Sequence, residues 1–314
     1  MDGFDLRRLR VLRELEVRGT LGAVAQALRF SPSAISQQLA VLEREAGTPL
    51  IEKAGRGVRL TDAGRLLAEH AAGLLDAAEA ARADLASLTG EVRGTVRVGG
   101  LQSATRRILI PAVARLRTEH PQVRVEVTEL ELEQALPELR LGGLDLVVSD
   151  EYDGHPRPRP AGLRFRPLLE EPLHLVLPAD HPPAGSGAPV PIAALRGDVW
   201  TSSATGTGHH AVVVATCRSL GGYDPDLRHR SNDADVQLEL VRAAGAVALM
   251  PALTLPGADP ALAVREVAEG VVRRRLVVVT REGRPGPALG AVLAAVAERG
   301  GQVVWNDRRD RPTP

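Results

Sequence analysis

Three groups of side chains in this 314-residue chain have the types and spacing to do chemistry. Ser33, Ser36 and Gln37 fall on one face of a helical stretch that follows Ser31 and Pro32. A helical glutamine can pair through two hydrogen bonds with an adenine edge in the major groove, and small hydroxyl side chains let such a helix approach closely. Lys53, Arg56 and Arg59 flank a Gly-containing turn. Arg56, at the turn, suits a minor-groove or backbone contact; Lys53 and Arg59 suit phosphates. Thr20 opens a helix, where its hydroxyl caps the backbone and the free N–H groups suit a phosphate. The third group lies in two Gly- and hydroxyl-rich loops, Gly99–Thr105 and Thr201–Gly208. Each leads from a strand into a helix. Gln102, Ser103, Thr201, Ser202 and Thr207 there, with Ser149, Asp150 and Asn232 at strand ends, are candidates to bind a small anion such as a carboxylate. Ordinary strand–helix turns with capping hydroxyls give the same pattern.

The first two groups need a rigid frame, and the local signals supply one. Leu6, Leu9, Leu12 and Leu15 make residues 5 to 18 an amphipathic helix. Leu21, Val24, Ala25 and Leu28 form a second, short helix after Thr20, and Phe30 closes a tight turn. Ser31 caps a third helix with Pro32 at its first position, where a missing N–H costs nothing. Its buried stripe is Ala34, Ile35, Leu39 and Leu42. Two strands around AGRG follow as a wing. This is a winged helix-turn-helix, with the third helix presented to a groove. A breaker-poor helix then runs from Asp62 to about Leu88, with Leu67, Leu74, Ala78, Ala81, Leu85 and Leu88 as a coiled-coil-like seam. A second copy of the chain is the economical partner for it; packing against its own domain is the alternative.

From Thr95 onward strands and helices alternate. Strands are expected at 96–100, 123–130, 144–150, 173–178, 199–203, 246–251 and 273–282, and helices at 104–119, 131–141, 208–220, 233–244 and 286–299. Such alternation predicts a parallel sheet with covering helices, and hence a ligand crevice at the strand ends. The tail after Trp305 is expected to be disordered.

Composition narrows the function classes. Hydrophobic residues make up 44% and charged residues 25%, as in soluble globular proteins. The zero net charge means that any phosphate contact must come from local geometry. The sole cysteine, Cys217, rules out an internal disulfide and leaves a peroxide-sensing thiol no partner within the chain. With no span of about 18 apolar residues and no secretory signal, a cytoplasmic protein without a membrane partner is expected. The adjacent His209 and His210 point different ways and make no chelating pair, so no metal is expected. No Walker motif, G-x-S-x-G elbow or dinucleotide fingerprint occurs, so no catalytic residue, no cofactor and no enzyme activity are expected.

The stretches S31-P-S-A-I-S-Q-Q-L-A-V-L-E43, G47-T-P-L50 and G55-R-G-V-R-L-T-D-A-G64 closely resemble the DNA-binding signature of LysR-type transcriptional regulators. AGAVALMP (244–251) and the strand–helix order extend the resemblance along nearly the whole chain. It departs at Ile51, where Phe is usual, at Lys53, where Arg is usual, and at Gln37, often Arg, which bears on the bases read. The resemblance implies an α/β fold class with three parts: a winged helix-turn-helix at 1–61, a dimerising linker helix at 62–90, and a two-lobed, periplasmic-binding-protein-like effector domain at 91–305. Lobe one would span about 91–168 and 269–305, lobe two about 169–268, and 306–314 would form the tail. The partners implied are double-stranded operator DNA, a small effector with an organic anion as the candidate, further copies of the chain in a dimer or tetramer, and RNA polymerase. A solute-binding protein, an enzyme and an architectural DNA binder without effector are the alternatives weighed against a regulator.

Overall fold

The structure, a computed structural model, describes residues 3–55, 57–88, 92–155, 157 and 159–309. Helix α1 (Leu6–Arg18) starts where the Asp5 carboxylate accepts the Arg7 N–H, and ends on Gly19 in the left-handed conformation. Thr20 caps α2 (Leu21–Leu28) by accepting the Ala23 N–H. Ser31 caps α3 (Pro32–Ala46) in the same way through Ala34. Leu9, Leu12, Leu15, Val24, Ile35, Leu39 and Leu42 meet in one core. Burial of each is worth about 1.5–3 kcal/mol, which locks three short helices that would be marginal alone.

The wing is the antiparallel pair β1 (Ile51–Ala54) and β2 (Gly57–Leu60), with Ile51 opposite Leu60. Glu43 on α3 accepts the N–H groups of Leu50 and Ile51 at 2.9 and 3.1 Å, which fixes where the wing leaves the third helix. Helix α4 (Asp62–Leu88) opens on Thr61, whose hydroxyl accepts the Gly64 N–H and donates to the Pro49 carbonyl. A Cβ at Gly64 would lie 2.1 Å from the Leu50 carbonyl oxygen, so only glycine lets α4 pass that close to the wing.

Ala68 and Ala71 of α4 are buried in the helix-turn-helix core and Leu67 is half-buried against it. Leu67 therefore packs within its own domain rather than in a free seam. Leu74 and Leu85 lie beyond that contact and are 46% and 67% exposed. The side chain of Leu88 lies outside the described residues.

The remainder begins with β3 (Gly94–Gly100), α5 (Gln102–Ala104), a π-helical turn (Thr105–Leu109), α6 (Ile110–Glu119), β4 (Val123–Glu129), α7 (Leu132–Leu141) and β5 (Leu146–Tyr152). A long strand, β6 (Leu163–Pro178), leads to β7 (Val199–Ser202), α8 (Gly208–Thr216), β8 (Asp226–Arg230), α9 (Ala234–Ala244), β9 (Val247–Pro251) and β10 (Leu262–Arg265). The chain closes with β11 (Arg273–Arg281) and α10 (Pro287–Arg309). Among the described residues these strands follow the order β4-β3-β5-β11-β6-β9-β7-β8, with β10 also on β6.

The all-parallel sheet expected from the alternation is corrected. β3 is parallel to β4 and β5, and β7 is parallel to β8 and β9. β11 runs antiparallel to both β5 and β6, and β6 antiparallel to β9 and β10. The physical reason is connectivity. β6 carries the chain from one lobe to the other and β11 brings it back beside β6, and adjacent strands travelling opposite ways can pair only antiparallel. The first half of β6 pairs with β11 and its second half with β9, so one strand serves both lobes. Each lobe has its own core, one around Ile108, Leu146 and Leu276, the other around Trp200, Leu249 and Leu175.

The closing helix runs past the expected end at 299 and the expected boundary at Trp305. Gly300 and Gly301 read as a stop but sit inside it, since a glycine costs a helix interior only about 1 kcal/mol. A Cβ at Gly300 would lie 2.7 Å from Leu168 Cδ1, so the helix needs that gap to lie against β6. The rest of the expected tail, 310–314, lies outside the described residues. The first domain also touches the lobe that holds α7. Arg18 pairs with Glu138 at 2.8 Å, and the Arg13 guanidinium donates to the Arg140 carbonyl.

Replacing Gly64 by Ala is expected to destabilise the N-terminal domain by about 1–3 kcal/mol through overpacking against backbone. Urea unfolding followed by far-UV circular dichroism measures it, and an unchanged midpoint would contradict the close approach.

Candidate functional site

On the N-terminal domain, Ser33, Ser36 and Gln37 are all exposed on α3, opposite the buried Ile35, Leu39 and Leu42. The Ser33 and Ser31 hydroxyls lie 2.9 Å apart, which holds Ser33 at the helix entrance. Gln37 makes no hydrogen bond within the chain among the described residues, so both ends of its amide are free for a base edge. Thr20 is exposed and caps α2 by accepting the Ala23 N–H, so the capping role exists. Lys53 is exposed on β1. Arg59 is exposed too, but pairs with Glu52 at 2.7 Å, so a phosphate would have to compete with that carboxylate. Arg56 lies outside the described residues.

The second site is a crevice between the lobes, with a cavity of about 50 Å³. A single water needs roughly 10–15 Å³ on this measure, so the closed crevice holds a few waters or a very small ligand. Of the residues expected there, Gln102, Ser103, Asp150, Thr207 and Asn232 line it. Ser149, Thr201 and Ser202 do not, and their placement is corrected. Thr201 and Ser202 are fully buried within β7, and Ser149 is buried within β5. The Ser202 hydroxyl turns to the Ser203 carbonyl and the His210 ring instead.

Gln102 spans the crevice. Its amide donates to Asp233 Oδ1 at 2.8 Å and accepts the Ala234 N–H at 2.9 Å, which joins α5 to the start of α9. Arg106 adds a second bridge to Asp235 at 3.1 Å. Thr207 caps α8 through the His210 N–H and donates to the Ala204 carbonyl. The donors on which the anion expectation rested are thus largely engaged within the protein.

Besides Asp150, the floor holds charges that the sequence reading passed over. Arg274 is 3% exposed. It donates to Glu171 Oε1 from Nη2 and Nε at 2.6 and 2.8 Å, and to the Ser103 hydroxyl at 2.9 Å. Burial alone lowers the Arg274 pKa, but attraction from Glu171, Tyr152 and Asp150 outweighs it and raises the value. The buried Tyr152 donates to Asp150 Oδ2 at 3.0 Å, and burial pushes its pKa well up. Arg157 reaches Asp150 at 3.5 Å and also pairs with Glu133. A Cβ at Gly208 would lie 2.9 Å from Arg157 Nη2 and 3.1 Å from the Tyr152 ring, so this glycine lets α8 close onto the opposite lobe.

Strand alternation was the available signal for Arg274. In β11 the side chains of Leu276 and Val278 turn inward, and period two takes Arg274 with them while Arg273 and Arg275 face out. His209 is buried, with Nε2 at 2.8 Å from the Leu249 carbonyl, and burial lowers its pKa. His210 contacts Ser202, so the two imidazoles do diverge. Among the described residues no group of three or more His, Cys, Asp or Glu is placed to hold a metal. Burial pushes the Cys217 thiol up to about 12, which suppresses the reactive thiolate. A larger cavity, about 380 Å³, lies beside the crossing strands, where Glu170 and Arg273 pair with each other at 3.0 Å.

Glu131, immediately before α7, lines the crevice, and its carboxylate makes no hydrogen bond among the described residues. Burial, then the nearby Asp150 and Glu133 carboxylates, raise its pKa from 4.5 to about 7, against a smaller pull from Arg157. The folded chain therefore holds this proton where the unfolded chain has lost it, and stability falls as pH rises from 4.5 to about 7. Glu131→Gln should remove that fall and add about 1 kcal/mol above neutrality, allowing for solvent screening. Urea midpoints of both proteins at acid and alkaline pH test this, and parallel pH profiles would contradict it.

Residues 6–65 match the family described as "Bacterial regulatory helix-turn-helix protein, lysR family", and residues 89–301 match "LysR substrate binding domain". The chain is 32% identical over 179 residues to the HTH-type transcriptional regulator GalR of Pseudomonas putida, covering 57% of this chain and 44% of that one. At this similarity the chain thus spans about half the length of its curated relative. It is 24% identical over 311 residues to the HTH-type transcriptional regulator YfeR of Shigella flexneri, covering 98% of both chains. Among solved structures, a cysteine mutant of Corynebacterium glutamicum OxyR superimposes with a TM-score of 0.59 at 25% identity, covering 99% of this chain and 96% of that one. No helix among the described residues is long and apolar enough to cross a membrane.

Proposed function

Since the chain belongs to the LysR family of bacterial helix-turn-helix regulators, we propose that it is a sequence-specific transcriptional regulator whose operator contacts respond to a small molecule bound between its two C-terminal lobes. The observation that carries this reading is the exposed trio Ser33, Ser36 and Gln37 on a helix whose other face is locked in a core. A helix so presented, with a wing beside it, fits a major groove. Gln37 reads a base edge, the two serines allow close approach, and Thr20, Lys53, Arg56 and Arg59 hold phosphates or the minor groove. The reading assigns no catalytic step to the chain, and it has the protein act in the cytoplasm, where operator DNA lies.

The exposed Leu74 and Leu85 support pairing of two chains along α4. An apolar row on a 27-residue helix is stable in water only when covered. Two paired reading heads would then bind the two halves of an operator, and further pairing to a tetramer and contact with RNA polymerase belong to the same reading. Effector control is linkage: a ligand that prefers one lobe arrangement shifts the population of chains able to span both half-sites. Gln102, Ser103, Thr207 and Asn232 form the effector wall, with Asp150, Tyr152, Arg157 and Arg274 as its charged floor.

Gln37→Ala should weaken binding to the mapped operator by about 1–3 kcal/mol while leaving binding to unrelated DNA nearly unchanged. Genome-wide footprinting followed by fluorescence anisotropy on the strongest site measures both. Equal affinity of variant and parent for the operator would remove Gln37 from the readout, and the lack of any preferred site would end the regulator reading. Leu74→Glu with Leu85→Glu should convert the dimer to monomer in sedimentation velocity and abolish paired half-site protection. Persistence of the dimer would move the interface elsewhere.

A further inference from the structure

On the reading that the crevice is the effector site, the charges and unmatched hydrogen-bonding groups in its wall narrow the ligand's chemistry. The strong donors of the floor are committed. Arg274 serves Glu171 and Ser103, Tyr152 serves Asp150, Arg157 serves Glu133 and Asp150, and the Gln102 amide serves Asp233. Two acceptors in the wall are unmatched. The Glu131 carboxylate has no hydrogen bond among the described residues. Gln237, on α9 in the other lobe, is 3% exposed and lines the cavity. Its amide nitrogen donates to the Ser231 carbonyl at 2.6 Å, while its buried Oε1 has no donor. Donors are unmatched too: Arg157 Nε, on a guanidinium already paired with two carboxylates, and the Asn232 amide nitrogen, which has no hydrogen bond among the described residues.

The local charge points the same way. Two carboxylates, Glu131 and Asp150, and two guanidinium groups, Arg157 and Arg274, line the cavity, and each guanidinium is also held by a carboxylate outside the lining, Glu133 or Glu171. An organic anion entering this space finds both guanidinium groups already paired with carboxylates. An ammonium group meets carboxylates and an amide oxygen and leaves no buried acceptor unfilled.

We propose that the effector carries an ammonium group, received by Glu131 and Asp150 on one lobe and by the Gln237 amide oxygen on the other. Bound there, it bridges the lobes and stabilises their closed arrangement. The cavity volume sets the scale at a few non-hydrogen atoms unless the Gln102 and Arg106 bridges open. Because the groups around Glu131 are Asp150, Glu133, Glu129 and Arg157, an arriving cation finds it more fully ionised above neutrality, and binding tightens as pH rises through that range.

The test is calorimetric titration of the full chain, at mildly alkaline pH, with ethanolamine, butane-1,4-diamine and lysine, against propionate and propionamide as acidic and neutral controls. At least one ammonium compound should bind at least tenfold more tightly than both controls, and Glu131→Gln should weaken it tenfold or more. Urea midpoints at the same pH check that the variant is folded. Silence of all three ammonium compounds, equal or tighter binding of propionate, or unchanged affinity in Glu131→Gln would each overturn the proposal. Operator footprinting separates this failure from that of the regulator reading. A footprint that responds to an acid but to no amine sinks the ammonium alone, whereas the absence of any preferred operator sinks the regulator itself.

Discussion

A buried positive charge organises the C-terminal half of this molecule. Arg274 sits on the strand that returns between the lobes, directly opposite Glu171 on the strand that goes out. A guanidinium at 3% exposure is tolerable only if its donors are matched and its charge is offset. Glu171 does both, and its other oxygen accepts the Leu253 N–H, which ties in the segment after β9. Ser103 and Asp150 complete the shell from α5 and β5. One charge thereby draws together four chain segments distant in sequence, and they meet where the crevice forms. Removing one member of such a set leaves the other charged and dry, at a cost of about 3–5 kcal/mol.

The N-terminal half rests on a different kind of constraint, local and largely apolar. Each helix start carries its own cap, and the wing is set by two hydrogen bonds to Glu43. These features are separated by few residues, which is why Thr20, Ser31 and Pro32 announced them in the sequence. The order of strands and helices after Thr95 was also legible, because apolar alternation and helical spacing are local patterns. The direction in which strands pair was not, since it depends on which segment returns beside which. The first half of β6 hid behind Pro167 and its charged neighbours, though Leu163 and Phe165 alternate with Arg164 and Arg166. The short β8 and β10 were likewise passed over.

Site residues divide along the same line. Ser33, Ser36 and Gln37 could be placed because a helix with a clear buried stripe leaves its other face open. The loop hydroxyls could not, because a Thr or Ser at the end of a strand turns inward or outward according to a register that local sequence does not specify. Thr201 and Ser202 were absorbed into the lobe, whereas Ser203 and Thr207, a few residues on, reached the cavity. The triplet Arg273, Arg274 and Arg275 falls in the strand expected at 273–282, and none of the three is named there as a site residue. Only its place in a strand makes the middle member the hub of the crevice.

Helix α7 touches both functional regions. At its first turn Glu133 grips Arg157 on the crevice floor, and at its last turn Glu138 grips Arg18 on the first helix of the reading domain. Five residues of helix separate Glu133 from Glu138, a rise of roughly 7.5 Å. A body this short does not bend appreciably, except near Pro137, where one backbone hydrogen bond is lost. It behaves as a lever whose two handles are ion pairs. Through it the cleft and the first domain are linked within a single polypeptide, before any neighbouring subunit takes part.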